Sequence, residues 1–366
     1  MLDSPKNVFI AATRQDDGKT TVSLGLIANF QKHYPEIGFI KPIGQRYLEE
    51  QGVKVDEDSV LIDKVYGIKC DLKDMSPVAV ERGFTEKYIL HPKKNVITRQ
   101  IEESYSRVSK DKGLVVIEGT GHAGVGSVFD HSNAQVAKLL NSKVILVSAG
   151  GVGRPIDEIL LNKALFDKEG VELLGVIINK VRPDKFEKIN RLVRKALTRK
   201  GVDVLGVLPY HSCLSAPTIR QIIEETDFKL IVGEQGIDNI VTDTIVGAME
   251  PHEALSYITD HCLLITPGDR EDLIMMALNC HLSQVKGCTR ISGIILSGGI
   301  MPHEAVINIA RAANIPMMLS RQDTYKVASV IYNLTIKTKP DDKGKIDQIL
   351  KLISEHVDTE KILATI

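Results

Sequence analysis

The residues best suited to chemistry lie near the amino terminus, where Gly18-Lys19-Thr20-Thr21 follows Asp16 and Asp17. A glycine at that point lets backbone N–H groups face an anion, and the start of a helix adds its positive end. A lysine can then reach terminal phosphate oxygens, while a hydroxyl can ligate Mg²⁺. The run Val8-Phe9-Ile10 just upstream reads as a buried strand, so the stretch predicts strand, polar loop and helix, the layout of a phosphate-binding loop. A strict GxxxxGK[ST] would need glycine where Thr13 stands, and Asp16 and Asp17 set carboxylates beside a site meant for anions. Asp17, Gly18, Lys19, Thr20 and Thr21 are the candidate nucleotide contacts; Lys19 is also a catalytic candidate.

Further groups fall after other apolar runs. Lys41-Pro42-Ile43-Gly44-Gln45-Arg46 follows Ile37–Ile40, and a cation there can neutralise charge on a transferred phosphoryl group. The cluster Asp56-Glu57-Asp58 can supply a carboxylate to Mg²⁺, or Asp56 or Asp58 can cap a helix; the pattern leaves both open. Leu114-Val115-Val116-Ile117-Glu118 is an apolar strand ending in an acid, which would set Glu118 against the same metal, and Gly119-Thr120-Gly121-His122 follows. Asn179 ends Ile177-Ile178, where an amide can both donate to and accept from an adenine edge, and Pro209-Tyr210 can wall the base. A turn asparagine is the plain alternative.

The elements that must position these groups alternate. Strands are predicted at Val8–Ile10, Ile37–Lys41, Leu114–Ile117, Val144–Ser148, Leu174–Ile178 and Val204–Leu208. Amphipathic helices are predicted at Thr20–Lys32, Asn95–Lys110, Asn133–Leu140, Pro155–Glu169 and Pro183–Arg199. Continuous apolar runs alternating with helices predict an α/β fold, a mostly parallel sheet with helices on both faces whose ligands bind beyond the carboxyl ends of the strands. The rhythm pauses near Tyr210–Pro217. A second, smaller α/β set follows, with strands at Lys229–Val232, Cys262–Thr266, Ile291–Ser297 and Ile315–Leu319. The expected domains are therefore 1–213 and 214–342, with 343–366 as one terminal helix.

Composition narrows the classes. The chain has 366 residues and a formal net charge of −1, so no global basic footprint for nucleic acid exists. The basic run Arg182–Lys200 carries apolar residues at helical spacing and reads as a solvated helix face. No apolar stretch is long enough to span a bilayer and no signal peptide is evident, which predicts a cytoplasmic protein. The five cysteines, Cys288 among them, lack CxxC spacing, which argues against disulfides or structural zinc.

Taken together, the loop through Gly18-Lys19-Thr20 with Lys41-Pro42, Asp58, Glu118-Gly119-Thr120-Gly121, Asn179 and Pro209 resembles the dethiobiotin-synthetase-like P-loop domain. That resemblance implies ATP held by the loop, Mg²⁺ held by Thr20, Asp58 and Glu118, Lys41 facing a reacting carboxylate, and Asn179 at the adenine. Thr13 to Thr21, Gly44-Gln45-Arg46 and Gly150 to Asp157 are more narrowly similar to the amino-terminal region of long bacterial phosphate acetyltransferases. Gly268-Asp269-Arg270 and Ser297-Gly298-Gly299 resemble the DRTGG domain, with Ser297 in place of the usual threonine. In those acetyltransferases a catalytic domain follows the DRTGG domain, and the sequence in hand stops where it would begin. Gly121-His122-Ala123 departs from the Gly-Gly of true dethiobiotin synthetases, which ranks biotin synthesis low.

The resemblance implies an ATP- and Mg²⁺-binding, two-domain regulatory protein linked to acyl or acetate metabolism. The alternative is an enzyme that activates a carboxylate through an acyl phosphate. Asp269, Arg270, Gly298 and Gly299 are candidates for a small effector: the first two can simply pair, while the glycine turn can set amides around an anion. Arg46 and His122 are candidates for an acceptor. The expected partners are nucleotide, a small-molecule effector or substrate, and further copies of the chain as a dimer or larger, without nucleic acid or membrane.

Overall fold

A computed structural model describes residues 5–50, 52–283, 290–334 and 336–366; Cys288 lies outside them. The chain forms two compact units, one of residues up to His211 together with Thr338–Ile366, the other Ser212–Lys337.

The first unit begins with β1 (Lys6–Ala12) and α1 (Lys19–Phe30), followed by β2 (Ile37–Ile40), β3 (Ile43–Gly44), β4 (Tyr47–Glu50) and β5 (Val53–Asp56). Next come α2 (Glu57–Tyr66), α3 (Leu72–Met75), β6 (Val78–Ala79), α4 (Phe84–Leu90), α5 (Lys94–Ser109) and β7 (Leu114–Glu118). It continues through α6 (Asn133–Leu139), β8 (Lys143–Ala149), α7 (Arg154–Glu169), β9 (Leu173–Val181), α8 (Phe186–Thr198) and β10 (Val204–Pro209). Its main sheet has the order β10-β9-β8-β1-β7-β2, every pairing parallel, with helices on both faces.

The sequence explains this arrangement. Val8, Phe9, Ile10 and Val115, Val116, Ile117 are wholly buried, as expected for central strands covered on both sides. Each such side chain contributes roughly 1.5–3 kcal/mol. Asp56 caps α2, accepting from the Asp58 N–H at 3.0 Å. Ser132 and Gln135 form a capping box that starts α6, and Pro155 sits in the first turn of α7. The β4–β5 hairpin, whose first strand is mostly exposed, was not expected from the sequence.

In the second unit, α9 (Ser212–Ser215) and α10 (Ile219–Glu225) lead into β11 (Lys229–Val232), β12 (Asp243–Val246), α11 (Pro251–Ala254), β13 (Cys262–Pro267) and α12 (Glu271–Ser283). Then follow β14 (Ile291–Ser297), α13 (Glu304–Ala312), β15 (Met317–Leu319) and α14 (Thr324–Tyr332). The order is β11-β15-β14-β13-β12, with β11 antiparallel to β15 and the other described pairings of this sheet parallel.

The tail differs from the single helix expected. It breaks into α15 (Lys343–His356) and α16 (Thr359–Thr365), because Val357 turns extended and forms a bridge with Gly206 of β10. Asp358 caps the second piece, accepting from the Lys361 N–H at 3.0 Å. Helix α15 packs on α1, with Ile353 fully buried against Gly25.

Candidate functional site

The parallel sheet of the first unit brings its strand tips together around the start of α1. Gly18 opens that helix with φ 99°, and a Cβ there would lie 2.2 Å from Asn179 Nδ2, so no other residue fits without displacement. Thr13, at the end of β1, donates to Asp17 Oδ2 at 2.6 Å, and the Arg14 N–H donates to the same oxygen at 2.9 Å. Burial raises the Asp17 carboxyl, and those two donors oppose the rise. The loop carboxylate is thus tied back onto its own loop. Arg14 pairs with Glu158 of α7, which also binds Arg154 at 2.9 Å.

Below the loop lies a buried charge cluster. Lys41, just past β2, pairs with Asp58 of α2, with Asp56 at 2.8 Å, and stands 3.8 Å from Glu118 at the tip of β7. Glu118 accepts from Ser23 at 2.6 Å and from Thr20 at 3.1 Å, both on α1. Lys19 is buried beside them. Burial raises the Glu118 carboxyl and the nearby Asp58 charge adds to it, while Lys41, Ser23 and Lys19 pull the other way. Burial would lower the Lys41 ammonium, but Asp58, Asp56 and Glu118 together hold it above its ordinary value. The Lys19 ammonium is lowered, chiefly by burial; Glu118 resists this and Lys41 reinforces it.

Of the two readings of the acidic cluster, the helix cap is the one seen, at Asp56. Asp56 is the helix cap and also contacts Lys41; Asp58 lies on the first turn and pairs with Lys41. Ser23, which donates to Glu118, was not singled out from the sequence. Its only signal was its place one turn after Lys19.

The remaining candidates divide. Asn179 stands at the loop, donating to the Asp17 carbonyl at 2.9 Å and accepting from the Lys180 N–H at 2.8 Å. Thr21 is half-buried on α1, and Pro209 ends β10 opposite Val181. Arg46 is exposed with Nη1 3.8 Å from Glu57, and the exposed His122 accepts from the Gly124 N–H at 3.1 Å through Nδ1. Neither joins the buried cluster. In the second unit, the expected pairing of Asp269 with Arg270 is replaced: Arg270 binds both oxygens of Asp272 at 3.0 Å and donates to the Met249 carbonyl at 2.9 Å. The glycine turn is also corrected as an anion site. The Gly298 N–H donates to the Gln322 carbonyl at 2.7 Å and that of Gly299 to the Ser320 carbonyl at 2.8 Å, so these amides are consumed within the fold.

Among the described residues no group of three or more His, Cys, Asp or Glu gathers as a cage for a metal. The oxygen donors Thr20, Asp58 and Glu118 nonetheless fit Mg²⁺, which keeps few protein ligands and completes its shell with phosphate oxygens and water. Among the described residues no helix is long and apolar enough to cross a membrane.

Comparison with known proteins gives the family. A family described as an AAA domain matches residues 6–218, more than half of the sequence. The chain belongs to this AAA-domain family. The DRTGG domain family matches residues 221–334, and the two domains together fit a nucleotide-binding, two-domain protein. A phosphate acetyltransferase from Nitratidesulfovibrio vulgaris is 27% identical over 367 residues, covering 97% of this chain and 51% of its own length. One from Pseudomonas putida is 26% identical over 366 residues, covering 96% of this chain and 50% of its own. The chain therefore spans about half the length of the curated relatives it matches. Among solved structures, a putative plasmid partition protein from Borrelia burgdorferi bound to AMPPNP has a TM-score of 0.38 and 14% identity. That match covers 57% of this chain and 88% of the other.

Proposed function

We propose that the AAA domain binds Mg·ATP and that the chain is a nucleotide-responsive regulatory protein linked to acyl or acetate metabolism, its DRTGG domain taking a small effector. One observation carries the nucleotide half: Lys19, Lys41, Asp58 and Glu118 are buried together at the head of the loop helix. Buried charge of both signs at one strand edge is costly without a task and suits a ligand that is itself highly charged. Thr20, Asp58 and Glu118 would hold Mg²⁺, which would offset the negative charge of the phosphates there. Lys19 binds the terminal phosphates, Asp17 and Thr21 line the loop, and Asn179 with Pro209 bounds the adenine. The regulatory half is supported by the pairing with a DRTGG domain and by the names of the relatives. The protein works in the cytoplasm as a dimer or larger, without nucleic acid or membrane partners.

Lys41 favours a second reading. A second buried cation beside the loop lysine suits a substrate carboxylate whose oxygen attacks the terminal phosphorus of ATP; ADP leaves and an acyl phosphate remains for a nitrogen nucleophile. Arg46 and His122 would contact the acceptor. Mg·ATP titration and ADP release, alone and with small carboxylates, separate these readings, with Lys19→Ala as control. Binding without turnover supports regulation, and carboxylate-stimulated turnover lost in Lys19→Ala supports the enzyme. An absence of nucleotide binding overturns both.

A further inference from the structure

The corner after β9 grips the phosphate loop from outside. Asn179 donates through Nδ2 to the Asp17 carbonyl at 2.9 Å, and Lys180 donates through Nζ to the Asp16 carbonyl at 2.6 Å. Those carbonyls belong to the residues just before Gly18. In a trans peptide the N–H points opposite to its C=O, and no cis bond occurs among the described residues. Holding the Asp16 and Asp17 carbonyls towards β9 therefore turns the N–H groups of Asp17 and Gly18 the other way.

Backbone geometry adds an independent sign. Lys180 has φ 58° and Asp16 φ 63°, the left-handed region in which a lysine is rarely found. Such a residue persists where its surroundings over-determine it. Here the Lys180 N–H is held by Asn179 Oδ1 and its Nζ by Asp16. Lys180 is exposed, so packing does not account for its shape.

We infer that Lys180 is a positioning residue for the phosphate loop. With Asn179 it straps the Asp16 and Asp17 carbonyls away from the ligand and presents the loop amides before a nucleotide arrives. This rests on the nucleotide reading of the AAA domain and adds to it a residue outside the loop that sets its readiness.

The test uses the full chain with Lys180→Met, Lys180→Gly and Lys180→Arg. Mg·ATP affinity, thermal midpoint, and amide hydrogen exchange at residues 14–20 without nucleotide are measured on each. Met and Gly are expected to weaken binding about fivefold, the scale of one ordinary exposed hydrogen bond, and to speed loop exchange. Arg restores both. Gly relieves the left-handed strain, so its midpoint holds or rises while its affinity falls, a split that a purely structural role does not produce. Unchanged loop exchange in Met and Gly overturns the strap, as does affinity that falls only in step with the midpoint. If the wild type binds no Mg·ATP, the nucleotide reading fails, and loop exchange alone decides the strap.

Discussion

The two units end their parallel strands in glycine-bearing turns and put them to opposite use. In the AAA domain, Gly18 yields space to Asn179 at the mouth of a buried charge cluster. In the DRTGG domain, Gly298 and Gly299 close on Gln322 and Ser320, and Arg270 is occupied by Asp272 and Met249. The first turn leaves polar groups facing a place where charge is concentrated; the second spends them on its own backbone. A glycine motif thus marks a close approach of chains, and only buried charge beside it marks a site.

The contrast can be broken most sharply at Lys41. Lys41→Met leaves Asp56, Asp58 and Glu118 around an apolar side chain, and removing one partner of a buried ion pair costs about 3–5 kcal/mol. Urea unfolding of the full chain measures it; a loss below about 1 kcal/mol would show that the cluster is solvated and resembles the second unit after all. The glycines come next. Gly18→Ala meets both a positive φ and Asn179, at a cost of about 3 kcal/mol. At Gly298, with φ 79°, a Cβ finds its nearest atom, in Ile300, at 3.5 Å. Gly298→Ala therefore carries the backbone strain alone, about 1–2 kcal/mol. Equal losses at the two positions would remove the distinction.

A gentler probe is pH. The folded Glu118 carboxyl is raised above its ordinary 4.5, so the native state holds a proton that the unfolded chain has released. Stability should therefore fall as pH rises from about 4.5 towards the raised value, and Glu118→Gln should flatten that slope in thermal midpoints. A slope unchanged in the variant would assign the titration elsewhere. The smallest effect is expected at Arg270→Ala, because its pair with Asp272 is surface-exposed and worth about 0–1 kcal/mol. A large loss there would give the second unit a charge centre of its own.

Much of the first unit was legible because its strands are short, wholly apolar and punctuated by polar tips. Val8–Ile10 and Leu114–Ile117 are recovered inside β1 and β7, and Lys41 and Glu118 fall at the tips where the alternation predicts them. The β4–β5 hairpin was not legible, since Tyr47–Glu50 is mostly exposed and has no apolar face to create periodicity. The partner of Arg270 was hidden for a different reason. Asp269 and Asp272 are both within reach in sequence, and only the turn into α12 selects between them. Nor does composition reveal that Gly298 and Gly299 spend their amides on carbonyls more than 20 residues away.

The return of the chain to the first unit carries a consequence for its biosynthesis. As residues 5–211 leave the ribosome, the outer side of α1 and the free edge of β10 have no cover, because Ile353 and Val357 are still to be made. The 126 residues from Ser212 to Lys337 are uninterrupted and can complete their own core first. The first unit, begun first, therefore closes only after the second has been made, and its loop helix is seated by residues that lie beyond that whole unit in the chain.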